Sequence, residues 1–261
     1  MDFVVTTAHN PSTNMLKDAA LLASLLSAPL KLRAKYSLDA MRGEYGIDTL
    51  LVVTKKGPVV YTPGGEYFFH LNMAELRINN LRNGKPDHMI SAMGLKPGMT
   101  VLDCTLGLAT DAIVASFVAG EGGAVLGLES SPIIAAITGL GLQTFSCDDA
   151  DITSALRRIQ VKEADYNLFL STVPDKSFDV VFFDPMFRVP IIDSSNLRPI
   201  RFLADDRPID ALAIKEARRI ARYTVVVKEA SGSHEFARLG ISVTHGGKYS
   251  SVHYGAIEMG G

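Results

Sequence analysis

The sequence predicts an α/β chain: a mostly parallel sheet flanked by helices, preceded by a small α+β unit. Three observations carry this. Residues 99–130 run strand, glycine turn, helix, strand, acid, which is the first βαβ unit of a nucleotide-binding fold. A dense apolar run, Phe178 to Phe183, reads as a buried parallel strand and ends in Asp184-Pro185. Residues 1–75 follow a different pattern, strand, helix and β-hairpin, so they form the expected N-terminal unit, with residues 76–261 as the main domain.

Composition narrows the classes. With 47% of its 261 residues hydrophobic, the chain can bury a sizeable core. Its 26 basic and 28 acidic residues exclude a generally basic nucleic-acid binder but allow a local basic face. Two cysteines, Cys104 and Cys147, lie far apart among six scattered histidines, which supports neither a disulfide framework nor a metal site. No charged segment followed by an apolar run opens the chain. Ala19 to Leu32 is interrupted by Ser27 and Pro29 and is too short to span a membrane. A cytoplasmic protein without membrane contact is expected.

In the N-terminal unit, Phe3 to Thr7 reads as a strand. Asn10-Pro11-Ser12 opens a helix running to about Leu26. Leu50–Thr54 and Val59–Thr62 flank a Lys-Lys-Gly-Pro hairpin turn, and Pro63-Gly64-Gly65 then breaks the chain. His70 reads as a capping or packing residue. Glu75 to Met93 is a helix or helix pair with Arg77, Arg82 and Lys85 exposed, and Gly94 to Gly98 leads into the first strand of the main sheet.

That strand, Thr100 to Asp103, ends in a carboxylate. The turn after it carries Thr105, Gly107, Ala109 and Thr110, and Asp111 opens a helix with an apolar face over Ala112–Val118. Small residues let a ligand approach the backbone, and the helix start offers unpaired N–H groups. The turn begins with an acid and lacks the full GxGxxG, which suits a cationic ligand such as S-adenosylmethionine better than a pyrophosphate. The second strand, Ala124 to Leu128, ends at Glu129, where an acid can take both hydroxyls of a ribose. A helix from Pro132, an amphipathic helix over Ala150–Arg158 and a strand over Ile159–Lys162 follow. Asp165 then either caps a helix beginning at Tyr166 or accepts from an adenine amino group, and one residue can do both.

Asp184-Pro185-Met186-Phe187 closes the next strand. Proline fixes φ and removes a donor, so rigid acceptors stand at the sheet mouth. Met186 and Phe187 can stack on a planar ring. The arrangement suits a planar group bearing an exocyclic amine, positioned with its nitrogen aimed at a methyl donor. Arg188 to Asp206 is a long polar loop whose Arg188, Arg198 and Arg201, with Arg207 beyond it, would bring positive charge to the rim. Ile209–Arg222 reads as a helix and Tyr223–Val227 as a strand ending at Lys228-Glu229. Ile241–Thr244 and Val252–Met259 read as a closing antiparallel pair.

Taken in order, DCTLGLATDA, GLES, FFDPMF, VVVKEA and GGKYSSVHYGAIEM resemble the class I S-adenosylmethionine-dependent methyltransferases. More narrowly, they are similar to the bacterial family that methylates the N2 amine of a guanine in small-subunit ribosomal RNA, with its DATAGLGRDA turn, LER strand end, DPMFP signature and VVVKRP strand. The likeness covers about residue 85 to the end. It implies a Rossmann-like fold with a seven-stranded sheet and an antiparallel closing strand. It implies S-adenosyl-L-methionine as cofactor, and contacts to it at Thr110, Asp111, Glu129, Ser130, Asp165, Tyr166 and Asp184, beside Asp103, Thr105 and Gly107 of the turn. Asp184, Pro185 and Phe187 would be catalytic. Met186, Phe187, Arg188, Arg198 and Arg201 would meet an RNA substrate. Ala109-Thr110 replaces the family's Gly-Arg, Arg188 its proline, and Glu229-Ala230 its Arg-Pro. Alternatives are a methyltransferase of the same fold acting on a small planar metabolite or a protein, and a module that binds the cofactor without turnover. A Rossmann oxidoreductase is disfavoured by the acid in the turn.

Overall fold

The computed structural model describes residues 3–71, 73–186 and 198–260. At Arg198 and Arg201 only the backbone is described. Phe187 and Arg188, both expected at the substrate site, lie outside the described residues.

The N-terminal unit holds a four-stranded sheet in the order β1-β2-β3-β4. It comprises β1 (Phe3–Thr7), α1 (Thr13–Leu25), α2 (Leu38–Tyr45), β2 (Thr49–Thr54), β3 (Gly57–Thr62) and β4 (Gly65–Tyr67). Ser12 caps α1 by accepting from the Met15 N–H, as expected of a serine before a helix. Two elements depart from the sequence reading. Pro63-Gly64-Gly65 does not stop the sheet; Gly65, at φ +123°, turns the chain into β4, which pairs antiparallel with β3. Helix α2 is an addition to the sequence expectation: Ser37 caps it and Gly46 ends it in the left-handed conformation.

Two helices lead onward, α3 (Ala74–Arg82) and α4 (His88–Met93), the second capped by Asp87. The main sheet then begins with β5 (Thr100–Asp103), α5 (Thr110–Ala119), β6 (Ala124–Glu129), α6 (Pro132–Thr144), α7 (Ala150–Arg157) and β7 (Ile159–Glu163). It continues with α8 (Tyr166–Thr172), β8 (Phe178–Phe183), α9 (Arg198–Arg201), α10 (Ala211–Ile220) and β9 (Ala221–Ala230). It closes with α11 (Glu235–Arg238), β10 (Val243–His245) and β11 (Val252–Glu258). The order is β10-β11-β9-β8-β5-β6-β7, with β9, β8, β5, β6 and β7 parallel and β11 antiparallel to β9. This is the mostly parallel, seven-stranded Rossmann-like sheet that the sequence predicts. The fifth strand is longer than expected: Ala221 and Arg222 belong to β9, because pairing with Phe178 and its neighbours overrides their helical propensity.

Apolar side chains fill both faces of the sheet. Phe182, Val101 and Ile113 lie in one core, Phe183, Val181 and Ile214 in the other. A third core joins the two sheets. Val5, Leu51, Val53 and Tyr67 of the small sheet pack on Ile133, Ile134 and Ile137 of α6 and on Ile200 and Leu203 near α9, with Leu108 and Met186 at its edge. The N-terminal unit is thus seated beside the carboxyl ends of β5, β6 and β8. No helix among the described residues is long and apolar enough to cross a membrane.

Candidate active site

A cavity of about 780 Å³ opens at the carboxyl ends of the parallel strands. That is within the range of small-molecule sites, and it stands where open α/β sheets bind ligands. Its floor is the β5–α5 turn. Asp103 ends β5 and accepts from the Thr105 N–H at 3.0 Å. Gly107 takes φ +52°, the conformation that glycine tolerates best, and Ala109 takes φ +61° at the start of α5. Glycine is the residue expected at 109 from the family likeness, so this chain keeps the turn while bearing a methyl group there. Gly127 of β6 leaves room for Leu106 under the turn, since a Cβ there would come within 2.4 Å of the leucine side chain.

Glu129 ends β6 and is buried. Its carboxylate accepts from the Gly107 N–H at 3.0 Å and the Ser131 N–H at 2.8 Å, so it grips the turn and the start of α6 together. Burial pushes its pKa up, while those N–H groups pull it down. Ser130, Thr110 and Tyr166 also line the cavity, and Tyr166 stands edge-on to Phe183 at 5.4 Å. Asp165 does not line the wall. It caps α8 by accepting from the Asn167 N–H, and its other oxygen accepts from Arg207 at 2.7 Å. Asp165 thus caps α8, one of the two roles expected of it.

At the other end, Asp184 follows β8. Its N–H donates to Thr105 Oγ1 at 2.6 Å, which locks the Asp-Pro-Met segment against the turn. Its side chain is 28% exposed, and Asp184, Pro185 and Met186 all line the cavity. Lys228 of β9 reaches across and donates to Asp184 Oδ2 at 2.7 Å and to Asp111 Oδ2 at 2.8 Å. Arg77 of α3 donates through Nη1 to Asp111 Oδ1 and grips Asp87 with Nε and Nη2 at 2.8 and 3.0 Å. Arg77 is thus half-buried in an ion network and not on the exposed face expected for it; the carboxylates that draw it in come from α4 and α5. Tyr254, paired with Lys228 across β9 and β11, lines the same wall.

Electrostatics divide the acids. Burial raises Asp103 to about 8, helped by Asp111 and Asp184. Burial also opposes ionisation of Asp111, but Lys228 and Arg77 outweigh it and hold Asp111 well below the usual carboxylate range. Asp184 is raised to about 6, by burial first and by Asp111, with Lys228 pulling it down. Lys228 stays charged despite burial because Asp111 and Asp184 flank it. Sequence reasoning assigned no role to Lys228. Its signals are a cation directly after the apolar run Val225-Val226-Val227 and its place in VVVKEA, similar to the family's VVVKRP.

The expected rim cations fare unevenly. Arg82 stays at the surface but is paired with Asp149 and Asp151, and Arg207 with Asp205 and Asp165. Lys85 is exposed. The wall itself carries Asp103, Asp111, Glu129, Asp184 and Asp205 against Arg77, Lys228 and Arg207. This acid excess, with Glu129 at the end of β6 and others around the turn, suits a ligand that carries positive charge.

Comparisons with known proteins agree. Residues 68–250 match the model of a family described as "Putative SAM-dependent methyltransferase". The chain is 38% identical over 256 residues to the protein named "Uncharacterized protein YpiP" of Bacillus subtilis, covering 98% of this chain and 99% of that one. It is 32% identical over 197 residues to ribosomal RNA small subunit methyltransferase J of Coxiella burnetii, covering 72% and 73%. In fold it is similar to the SAM-dependent methyltransferase NGO1261 of Neisseria gonorrhoeae, with a TM-score of 0.65 at 15% identity over 98% of this chain and 95% of that one. The chain belongs to the S-adenosylmethionine-dependent methyltransferases, and S-adenosylmethionine is its cofactor.

Proposed function

We propose that this methyltransferase acts on RNA and methylates the exocyclic N2 amine of a guanine in ribosomal RNA. The observation that carries the reading is Asp184-Pro185-Met186 at the mouth of β8, all three lining the cavity. The similarity to ribosomal RNA small subunit methyltransferase J supports it. The cofactor, when bound, supplies an electrophilic methyl group on its sulfonium.

The remaining work belongs to the chain's own residues. Glu129 would hold the ribose hydroxyls, and Ser130 and Tyr166 the adenine side. Asp103, Thr105, Gly107, Thr110 and Asp111 would hold the amino-acid end. Asp184 would accept a hydrogen bond from the substrate amine and so aim its nitrogen, which is catalysis chiefly by positioning. Pro185 keeps that segment rigid, and Met186 offers a face for the base. A base can enter only when unstacked, so looped or single-stranded RNA is the expected substrate, held by Arg188, Arg198 and Arg201. Residues 1–75 would act as a unit beside that entrance, in a cytoplasmic enzyme.

The ion pairing of Arg77, Arg82 and Arg207 favours a second reading, a small planar amine as acceptor, because these cations are not free for phosphate. Mass spectrometry of nucleosides in total RNA from cells with and without the gene separates the two. Loss of a methylated guanosine on deletion is expected; unchanged nucleosides would move the assignment to the small molecule.

A further inference from the structure

Lys228 is the residue of the site that neither the motifs nor the cofactor chemistry accounts for. It leaves β9, crosses the end of β8 and spends two N–H bonds, at 2.7 and 2.8 Å, on Asp184 Oδ2 and Asp111 Oδ2. The Asp184 side chain also lies within hydrogen-bonding reach of Asp111 and stands on the cavity wall.

We propose that Lys228 is the positioning residue of the acceptor site: its ammonium anchors one oxygen of Asp184, so that the other faces the methyl acceptor as an ionised hydrogen-bond acceptor. The inference rests on Asp184 being the group that meets the substrate amine.

Charge makes such an anchor necessary. Asp103 of β5, Asp111 of α5 and Asp184 converge on one wall, and burial and mutual repulsion both favour protonating one of them. A protonated Asp184 would present a donor to an amine that itself offers N–H groups. The other cation near this cluster, Arg77 of α3, is committed to Asp111 and, with two bonds, to Asp87. Tyr254 of β11 is held neutral by burial and by Asp111. Lys228 is therefore the one cation bonded to Asp184 among the described residues. Arg77 keeps Asp111 partnered if Lys228 is lost, so the turn retains an anchor.

The test uses Lys228→Met and Lys228→Arg in the full chain. Asp184 is followed by carboxyl 13C NMR across pH, its signal assigned by its loss in Asp184→Asn. Lys228→Met should raise the Asp184 midpoint by about one pH unit or more, the size expected when an adjacent opposite charge is removed. Lys228→Arg should leave it near the wild-type value. The acidic limb of the methylation rate should move up by the same interval, so that Lys228→Met is poor at neutral pH and recovers in alkali. A folded Lys228→Met with an unmoved midpoint, or a rate loss equal at every pH, would overturn the inference. If Lys228→Met does not fold, Lys228→Gln carries the same titration. Wild-type protein that methylates no guanine amine would defeat the substrate reading instead, and the NMR titration would still decide the role of Lys228.

Discussion

The two ends of the cavity are built on different principles. At the β5–α5 turn, proposed to hold the cofactor, carboxylates grip backbone N–H groups within one βαβ unit: Asp103 holds Thr105, two residues on, and Glu129 holds Ser131, two residues on, and Gly107, 22 residues back. At the end of β8, proposed to meet the acceptor, side chains hold side chains across 34, 44 and 117 positions, as Arg77, Asp111, Lys228 and Asp184 do. The first end is a property of one βαβ unit. The second exists only when α3, α5, β8 and β9 are all in place, so it can vary in chemistry while the cofactor end is kept.

Substitutions at the two ends should therefore separate. The largest effect is expected from Asp184→Ala, which should lower turnover by about 10²–10⁴-fold, the range for a positioned acid or base, with S-adenosylhomocysteine affinity nearly unchanged. Near-wild-type methylation by that variant would erase the distinction between the ends. Glu129→Ala should do the reverse and weaken S-adenosylhomocysteine by ~1–3 kcal/mol in calorimetry, the loss expected for a hydrogen bond between a charged group and a polar partner. An unchanged affinity would remove Glu129 from the ribose site.

A third experiment probes the cofactor end by pH. Burial raises Asp103 to about 8, so its ionised form, the one that would attract a cationic ligand, gains population as the pH climbs towards 8. S-adenosylmethionine affinity should rise with pH up to about 8, by no more than about tenfold per unit, and level off above it. Asp103→Asn should flatten this dependence. For stability the sign is reversed. A folded pKa above the unfolded one means that the ligand-free fold loses stability as pH climbs from about 4 to 8.

The smallest effect should come from the rim. Replacing Arg198 and Arg201 together by alanine should reduce the salt-dependence slope of RNA binding by about 0.7 for each single-strand phosphate contact removed. Binding that is flat with salt in the wild type would favour the small-molecule acceptor.

The same contrast explains what could be read from the chain. β5, the glycine turn, α5 and β6 lie within a residue of their expected bounds, because apolar runs, small turn residues and a terminal acid are all local signals. Asp184 was legible for the same reason, as an acid–proline pair closing an apolar strand. Arg77 and Lys228 were not, because a cation's partner is chosen in three dimensions and nothing near either in sequence names it. The sequence places Arg77 on the exposed face of its helix, whereas two carboxylates from other helices draw it inward. The β4 strand was missed because Pro63-Gly64-Gly65 carries the same punctuation whether a chain stops or turns back on itself.

One contact ties the small sheet to this chemistry. Tyr67 OH meets Thr138 Oγ1 at 3.1 Å, and that hydroxyl donates to the Gly107 carbonyl at 2.7 Å. With the shared core around Ile133 and Ile137, this chain of bonds should couple opening of the glycine turn to opening of the small sheet. Amide exchange at the turn should then report on a lesion some forty residues upstream. Tyr67→Phe should speed deuterium uptake at residues 105–110 before it lowers the melting temperature, so that the N-terminal sheet sets how often the cofactor loop breathes.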